Sequence, residues 1–216
     1  MRTRTCAVAA MLLLSVAGLF GCGVDSGSTA STGMRTVSVP HYTDPWVVIE
    51  GDSIEMALPQ EWNGGDPSDP AVAAAAKRAW GEDIVASVSE HAGEGEELVL
   101  IAWLGSEGGL IGHVLVVRGP WPEPDSMEEI VTDLTGGTST STAEVAVESV
   151  TAERAYIVLS LVSSGSEEPG SEPELQHCVL LKSGSYMYGV GYGCNKSWED
   201  KGDPTFRTSA ETIALD

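Results

Sequence analysis

The stretch Val47-Val48-Ile49-Glu50-Gly51-Asp52-Ser53 puts an apolar run directly before an acid and a serine, and Gly193-Cys194-Asn195 puts an amide near the far end of the chain. A serine at the end of a strand can act as a nucleophile when a histidine takes its proton, an acid orients that histidine and amide donors hold the oxyanion. The four histidines are His41, His91, His113 and His177, so none follows His177. His113 and His177 lie within strand-like stretches, where a histidine packs or faces solvent more often than it serves as a base. Asp66 with Asp69, and Glu199 with Asp200 and Asp203, could touch calcium, but neither group has EF-hand spacing. No cysteine and histidine pairs have zinc spacing, and no glycine-rich phosphate loop precedes a helix with a lysine. The expectation is no catalytic residue, no metal and no cofactor.

The Gly51-Asp52-Ser53 block resembles the nucleophile block of GDSL or SGNH esterases, and Gly193-Cys194-Asn195 is similar to their later Gly-x-Asn donor. Two features depart from that pattern. No Asp-x-x-His stands near the C-terminus, and Ser53 opens an alternating strand, Ile54, Met56 and Leu58, where the family's serine opens a helix. An esterase using Ser53 is kept as the alternative. For binding, the candidate surface is aromatic: Trp62, Trp80 and Trp121 in or beside loops or near a helix end, and Tyr186 and Tyr188 on one face of a strand. Such side chains anchor interfaces or line apolar pockets. With only two phenylalanines in the chain, they are equally suited to filling a core.

The elements that must position these residues read as strands with helical interruptions. Trp46–Ile49 and Ser53–Leu58 are short strands. Asp69-Pro70 pairs a cap with a first-turn proline and starts a helix running toward His91, with Val72, Ala76, Trp80, Ile84 and Val88 in a stripe that Gly81 can split. Glu97–Leu104 and Leu110–Arg118 form a hairpin around Gly108-Gly109. Ser126 and Glu129 have capping-box spacing. Ala143–Val150 and Arg154–Val162 are strands, Ser163–Pro173 is an acidic loop, and His177–Lys182 with Tyr186–Tyr192 is a hairpin about Gly184-Ser185. That turn sets Cys178 opposite Gly191. A last helix is expected over Pro204–Leu215. Strands and helices do not alternate regularly, so the fold class is α+β: a mainly antiparallel sheet packed with two or three helices.

The start of the chain concerns location. Arg2 and Arg4 precede an apolar run, Ala7 to Phe20, shorter than the ~20 residues a membrane-spanning helix needs. It ends in Leu19-Phe20-Gly21-Cys22, which resembles the lipobox of bacterial lipoproteins, with Phe20 departing from the small or β-branched residue usual there. The resemblance implies a signal peptide over residues 1–21, lipidation of Cys22, and an exported protein anchored by lipid to the outer face of the bacterial cell membrane. Residues 22–44 then form a Ser/Thr/Gly tether, and residues 45–216 a single domain. In an exported chain, Cys178 and Cys194 would pair as a disulfide, with thiols or a two-cysteine metal site as the other readings. The net charge is −21, and loss of Arg2 and Arg4 makes the remainder more acidic still. Nucleic acid phosphates and anionic headgroups repel such a surface, so the membrane is met only through the anchor.

The order of elements resembles the PsbP-like family of extrinsic photosystem proteins, a Ran-binding import factor and the LpqN/LpqT lipoproteins. The residues that carry it are Ile54-x-Met56-x-Leu58-Pro59-x-x-Trp62, the late hairpin strand Gly184-Ser-Tyr-Met-Tyr-Gly-Val190, and the closing helix. That family has no shared catalytic residues, and its members bind proteins or envelope molecules. The expected function is therefore a non-catalytic, lipid-anchored envelope protein that binds a partner protein or an apolar envelope molecule. A surface antigen or spacer without a specific ligand is the third reading.

Overall fold

The computed structural model describes residues 35–40, 42, 44–80, 84–91, 93, 95–106, 109–122, 125–136, 143–161, 175–195 and 198–216. Cys22 with the signal and most of the tether, His41, Gly81, Gly108 and the acidic loop at 163–173 lie outside the described residues.

Alternation of apolar residues produces two antiparallel sheets. The smaller has the order β1 (Thr36–Val37), β2 (Trp46–Glu50), β3 (Ile54–Pro59) and β11 (Ala214–Leu215). The larger runs β4 (Asn63–Gly65), β5 (Glu97–Ser106), β6 (Gly109–Pro120), β10 (Tyr186–Cys194), β9 (Leu175–Ser183), β8 (Arg154–Leu161) and β7 (Ala143–Val150). It joins the β5–β6 hairpin to the β7-to-β10 meander through the pair β6–β10. Every described pairing is antiparallel, as the irregular element order predicts.

The larger sheet buries both faces, and the period of two sorts its residues between them. On one face Leu100, Val114, Val116, Val179 and Val190 meet the small sheet's Ile49, Met56 and Leu58, together with Phe206 and Ala210 of the last helix. On the other face two helices, α1 (Pro70–Trp80) and α2 (Ile84–His91), cover Ile101, Trp103, Leu115 and Val117. A third helix, α3 (Met127–Gly136), covers Ile157, Leu159, Cys178 and Leu180.

Local signals place the first three helices. The Asp69 carboxylate accepts from Ala71 N at 2.8 Å, one residue before Pro70 opens α1. The stripe is divided between α1, which ends at Trp80, and α2, which begins at Ile84. At α3, Glu129 Oε2 accepts from Ser126 N at 2.8 Å and Ser126 Oγ accepts from Glu129 N at 3.3 Å, a complete capping box.

The last helix, α4 (Glu199–Glu211), corrects the expectation of Pro204–Leu215 at both ends. It begins before Pro204 because tertiary contacts hold its first turn. A side chain at Gly202 would put Cβ 2.5 Å from Cys194 Sγ, so glycine lets the helix sit directly on β10. Trp198 packs edge-on against Trp62, 5.8 Å between centroids. It ends early because Thr212 closes it: Thr212 Oγ1 donates to Ser209 O at 2.7 Å and accepts from Ala57 N at 2.8 Å. Ala214 and Leu215 then pair with Glu55 and Ile54 as β11.

Two further corrections concern residues 22–44 and the cysteines. The ordered domain starts before residue 45, because Thr36 and Val37 pair with Val47 and Trp46 and Tyr42 packs on Trp46. The Cys178–Cys194 disulfide is absent. Cys178 does face Gly191, as the two-residue turn requires. Cys194 lies three positions beyond Gly191, an odd step that turns its side chain to the other face and carries it about 10 Å along the strand. Cys178 packs with α3, whereas Cys194 lies under α4. Burial pushes the Cys178 thiol up to about 12, which makes it a poor nucleophile and metal ligand.

Candidate functional site

Ser53 sits in the turn between β2 and β3 with φ of +65°, in the left-handed region that a serine adopts only under constraint. The constraint is the packing of that turn against β5. Asp52 N donates to Val99 O at 2.9 Å, Gly51 N donates to Ile54 O at 2.8 Å, and a Cβ at Gly51 would fall 2.3 Å from Val99 O. The turn delivers Ser53 to Arg118 of β6. Arg118 Nη1 donates to Ser53 Oγ, Arg118 Nη2 donates to Asp52 Oδ2 at 2.8 Å, and Arg118 Nε donates to Glu97 Oε1 at 2.9 Å. The Ser53 hydroxyl donates to Asp52 Oδ1 at 3.1 Å. The Glu97 hydrogen bond leads the effects that push the guanidinium further up from its ordinary value. Its plane also lies over the Tyr186 ring, 5.6 Å from the centroid. The groups on Ser53 are thus a cation and an acid. A guanidinium cannot take a proton, and among the described residues no histidine is hydrogen-bonded to this serine, so the serine–histidine pair of an esterase is not assembled here.

The histidines are placed elsewhere. His113 faces Trp80, with ring centroids 6.3 Å apart, and burial lowers it to about 4. His91 closes α2. His177 is the most constrained. Its side chain is fully buried, and Tyr156 Oη lies 2.5 Å from Nδ1. Nε2 stands 3.3 Å from Asp203 Oδ1, yet the two are not aligned as a hydrogen bond. Arg207, one turn beyond Asp203 on α4, donates from Nε to Asp203 Oδ1 at 3.0 Å. Through Nη1 and Nη2 it also holds Glu148 of β7 at 2.5 and 2.8 Å. Burial lowers His177 to about 4, outweighing the attraction of Asp203. Burial likewise raises Tyr156 well above the ordinary phenol value. At neutral pH the imidazole is uncharged, and the carboxylate 3.3 Å from Nε2 favours the tautomer with the proton on Nε2, in which Nδ1 accepts from the Tyr156 hydroxyl.

The five expected surface aromatics separate into different roles. Trp62 (1% exposed), Trp121 and Tyr188 are core residues, which corrects their assignment to a binding surface. The physical reason is the scarcity of phenylalanine: large apolar volume in this core is supplied by Trp and Tyr. Trp80 is half-buried and packs edge-on with Trp103 at 5.7 Å. Only Tyr186, 49% exposed on its Arg118 platform, remains a surface aromatic among the five.

Three of the five acids considered for calcium are engaged otherwise. Asp66 accepts from Ser68 N at 2.7 Å, Asp69 caps α1, and Asp203 serves Arg207. Among the described residues no group of three or more His, Cys, Asp or Glu is arranged for a metal ion. No described helix is long and apolar enough to cross a membrane. Sequence reasoning missed Arg118, Tyr156, Glu148 and Arg207. Only the Asp203-to-Arg207 spacing of four carried a local signal.

The class defined by these features is an α+β domain whose larger antiparallel sheet is covered on both faces. No family model and no curated protein matches the sequence. Among solved structures the chain is similar to the cyanobacterial PsbP protein CyanoP of Synechocystis sp. PCC 6803. The identity is 10%, the match covers 89% of this chain and 99% of that one, and the TM-score is 0.41. It is also similar to the Ran-binding protein Mog1p of Saccharomyces cerevisiae, at 9% identity over 86% of this chain and 96% of that one, TM-score 0.42. A protein of Bacteroides thetaiotaomicron matches at 12% identity over 76% of this chain, TM-score 0.40; the match spans 45% of that longer chain. Similarity at this level bears on neither partner nor activity.

Proposed function

We propose that this is a non-catalytic binding domain, held by a lipid on Cys22 at the outer face of a bacterial cell membrane, whose ligand is a partner protein. The observation that carries the non-catalytic reading is the environment of Ser53. Its hydroxyl is held between the Arg118 guanidinium and the Asp52 carboxylate, with no described histidine hydrogen-bonded to it. A protein partner is favoured over an apolar molecule because Trp62, Trp121 and Tyr188 are used inside the core, whereas Tyr186 stands exposed on a cation that restricts its motion.

The test is native mass spectrometry of the full chain extracted from host membranes. The expected result is an N-terminal Cys22 peptide heavier by its acyl groups and a co-purifying protein that is lost in Tyr186→Ala. A bound lipid in place of a protein would move the reading to an apolar ligand. Hydrolysis of a p-nitrophenyl ester that disappears in Ser53→Ala would overturn it in favour of the esterase.

A further inference from the structure

The imidazole of His177 is fully buried between the larger sheet and α4. It projects from β9 toward α4, between the rings of Tyr156 at 5.6 Å and Phe206 at 5.4 Å. The charged and titratable groups facing it are Tyr156 of β8, Asp203 and Arg207 of α4, and Glu148 of β7. Tyr192 of β10 reaches the same helix through Ser209 at 3.4 Å, and Arg154 of β8 through the Ala210 carbonyl at 2.8 Å.

Phe206 packs over this imidazole, and Asp203 and Arg207 lie one helical turn apart beside it. Accepting a proton here is therefore a change at the seam, and its consequences follow from the hydrogen bonds. The charged ring would present N–H groups from both nitrogens, so Tyr156 would have to stop donating to Nδ1 and accept instead. The Nε2 proton could be repaid by Asp203, but that carboxylate is out of line with it and already accepts two bonds from Arg207. A buried cation would thus be left with a neutral phenol oxygen, a poorly aligned carboxylate and a neighbouring guanidinium. Swinging α4 away returns the imidazole to water, where it carries its proton at no such cost.

We propose that His177 is a proton-operated latch: on taking up a proton it frees α4 from the larger sheet, and with α4 the short β11 from β3, while the larger sheet remains folded. What opens is the apolar surface beneath α4, built by Tyr192, Trp62 and Val190. The Arg207–Glu148 pair does not supply the trigger above about pH 4.5, because the guanidinium holds that carboxyl below its ordinary range.

The measurement is hydrogen exchange of the full chain, corrected for intrinsic rates, at pH 7.5 and 4.5. Peptides covering 199–216 should lose protection on the order of 100-fold, the population shift that follows from an imidazole moved from about 6.5 in the open form to about 4 in the closed one. Peptides from β6 and β10 should remain better protected than 199–216 at both pH values, because they exchange only when the whole sheet opens. In His177→Gln, which cannot be charged, the protection of α4 should be nearly the same at both pH values. The latch is overturned if α4 keeps its protection in the wild type, if the loss persists in His177→Gln, or if peptides from β6 and β10 are no better protected than α4 at pH 4.5. Should His177→Gln fail to fold, an NMR titration of the wild-type imidazole decides. A midpoint near 4 to 5 that coincides with opening of α4 supports the proposal, and a midpoint near 6.5 in the closed protein rules it out.

Discussion

Two clusters join outlying elements to the larger sheet, and both are built from an arginine held by two carboxylates. Arg118 gathers Asp52 and Glu97 and receives the β2–β3 turn through Ser53; Arg207 gathers Asp203 and Glu148 and seats α4 beside Tyr156. They differ in what backs the ion pairs. Around Arg118 stand the exposed Tyr186 and two carboxylates that are more than half exposed. Behind Arg207 stands a buried histidine among Tyr156, Tyr192 and Phe206. The same ionic motif is therefore a salt-screened surface clasp at one end and a pH-dependent seam at the other.

The largest expected break in that contrast is Phe206→Ala. Removing a fully buried ring between α4 and the sheet should cost about 3–5 kcal/mol in urea unfolding. A loss below ~1 kcal/mol would mean that α4 is not seated as described. Acid comes next. The folded-state values of His177 and His113 are depressed to about 4, so their contribution is fully present above about pH 6.5 and is lost as the pH falls toward 4. Each should remove about 2–3 kcal/mol by pH 4.5, and His177→Gln should abolish its own share without touching that of His113. Tyr156→Phe removes the donor to Nδ1 and should cost about 1–3 kcal/mol, read as a shift in the urea midpoint at unchanged slope.

Smaller still is Arg118→Met. Asp52 and Glu97 are more than half exposed, so the loss should be about 1 kcal/mol and should shrink in high salt. If it equalled that of Phe206→Ala, the distinction between clasp and seam would fail. The smallest effect expected is that of dithiothreitol, which should leave the thermal midpoint unchanged because Cys178 and Cys194 are not joined.

What was legible in the chain was whatever a few neighbouring residues decide. The Ser126/Glu129 capping box, the Asp69-Pro70 helix start and the Gly184-Ser185 turn that puts Cys178 opposite Gly191 each involve groups within a few positions of one another. The disulfide expectation erred one step past that range. The register was right, but the parity of Cys194 sends its sulfur to the other face, and proximity along the chain says nothing about face. Pro204 misled for a related reason: a proline marks a helix start only when no outside contact stabilises a turn before it, and Cys194 with Trp198 supplies that contact. The Arg118 cluster joins residues as far apart as Ser53 and Arg118, so the motif around Ser53 could be read while its partner could not.

The sequence by itself determined the α+β class, the antiparallel hairpins, the caps and the apolar periodicity that assigns each strand residue to a face, because these rest on covalent neighbours and a period of two or 3.6. Only the tertiary structure decided that Ser53 meets Arg118, that the tryptophans belong to the core, and that His177 lies buried at the seam beneath α4. Those outcomes depend on which elements share a face once the chain has folded. Burial there sets whether a hydroxyl or an imidazole can exchange a proton, and no spacing along the chain encodes that quantity.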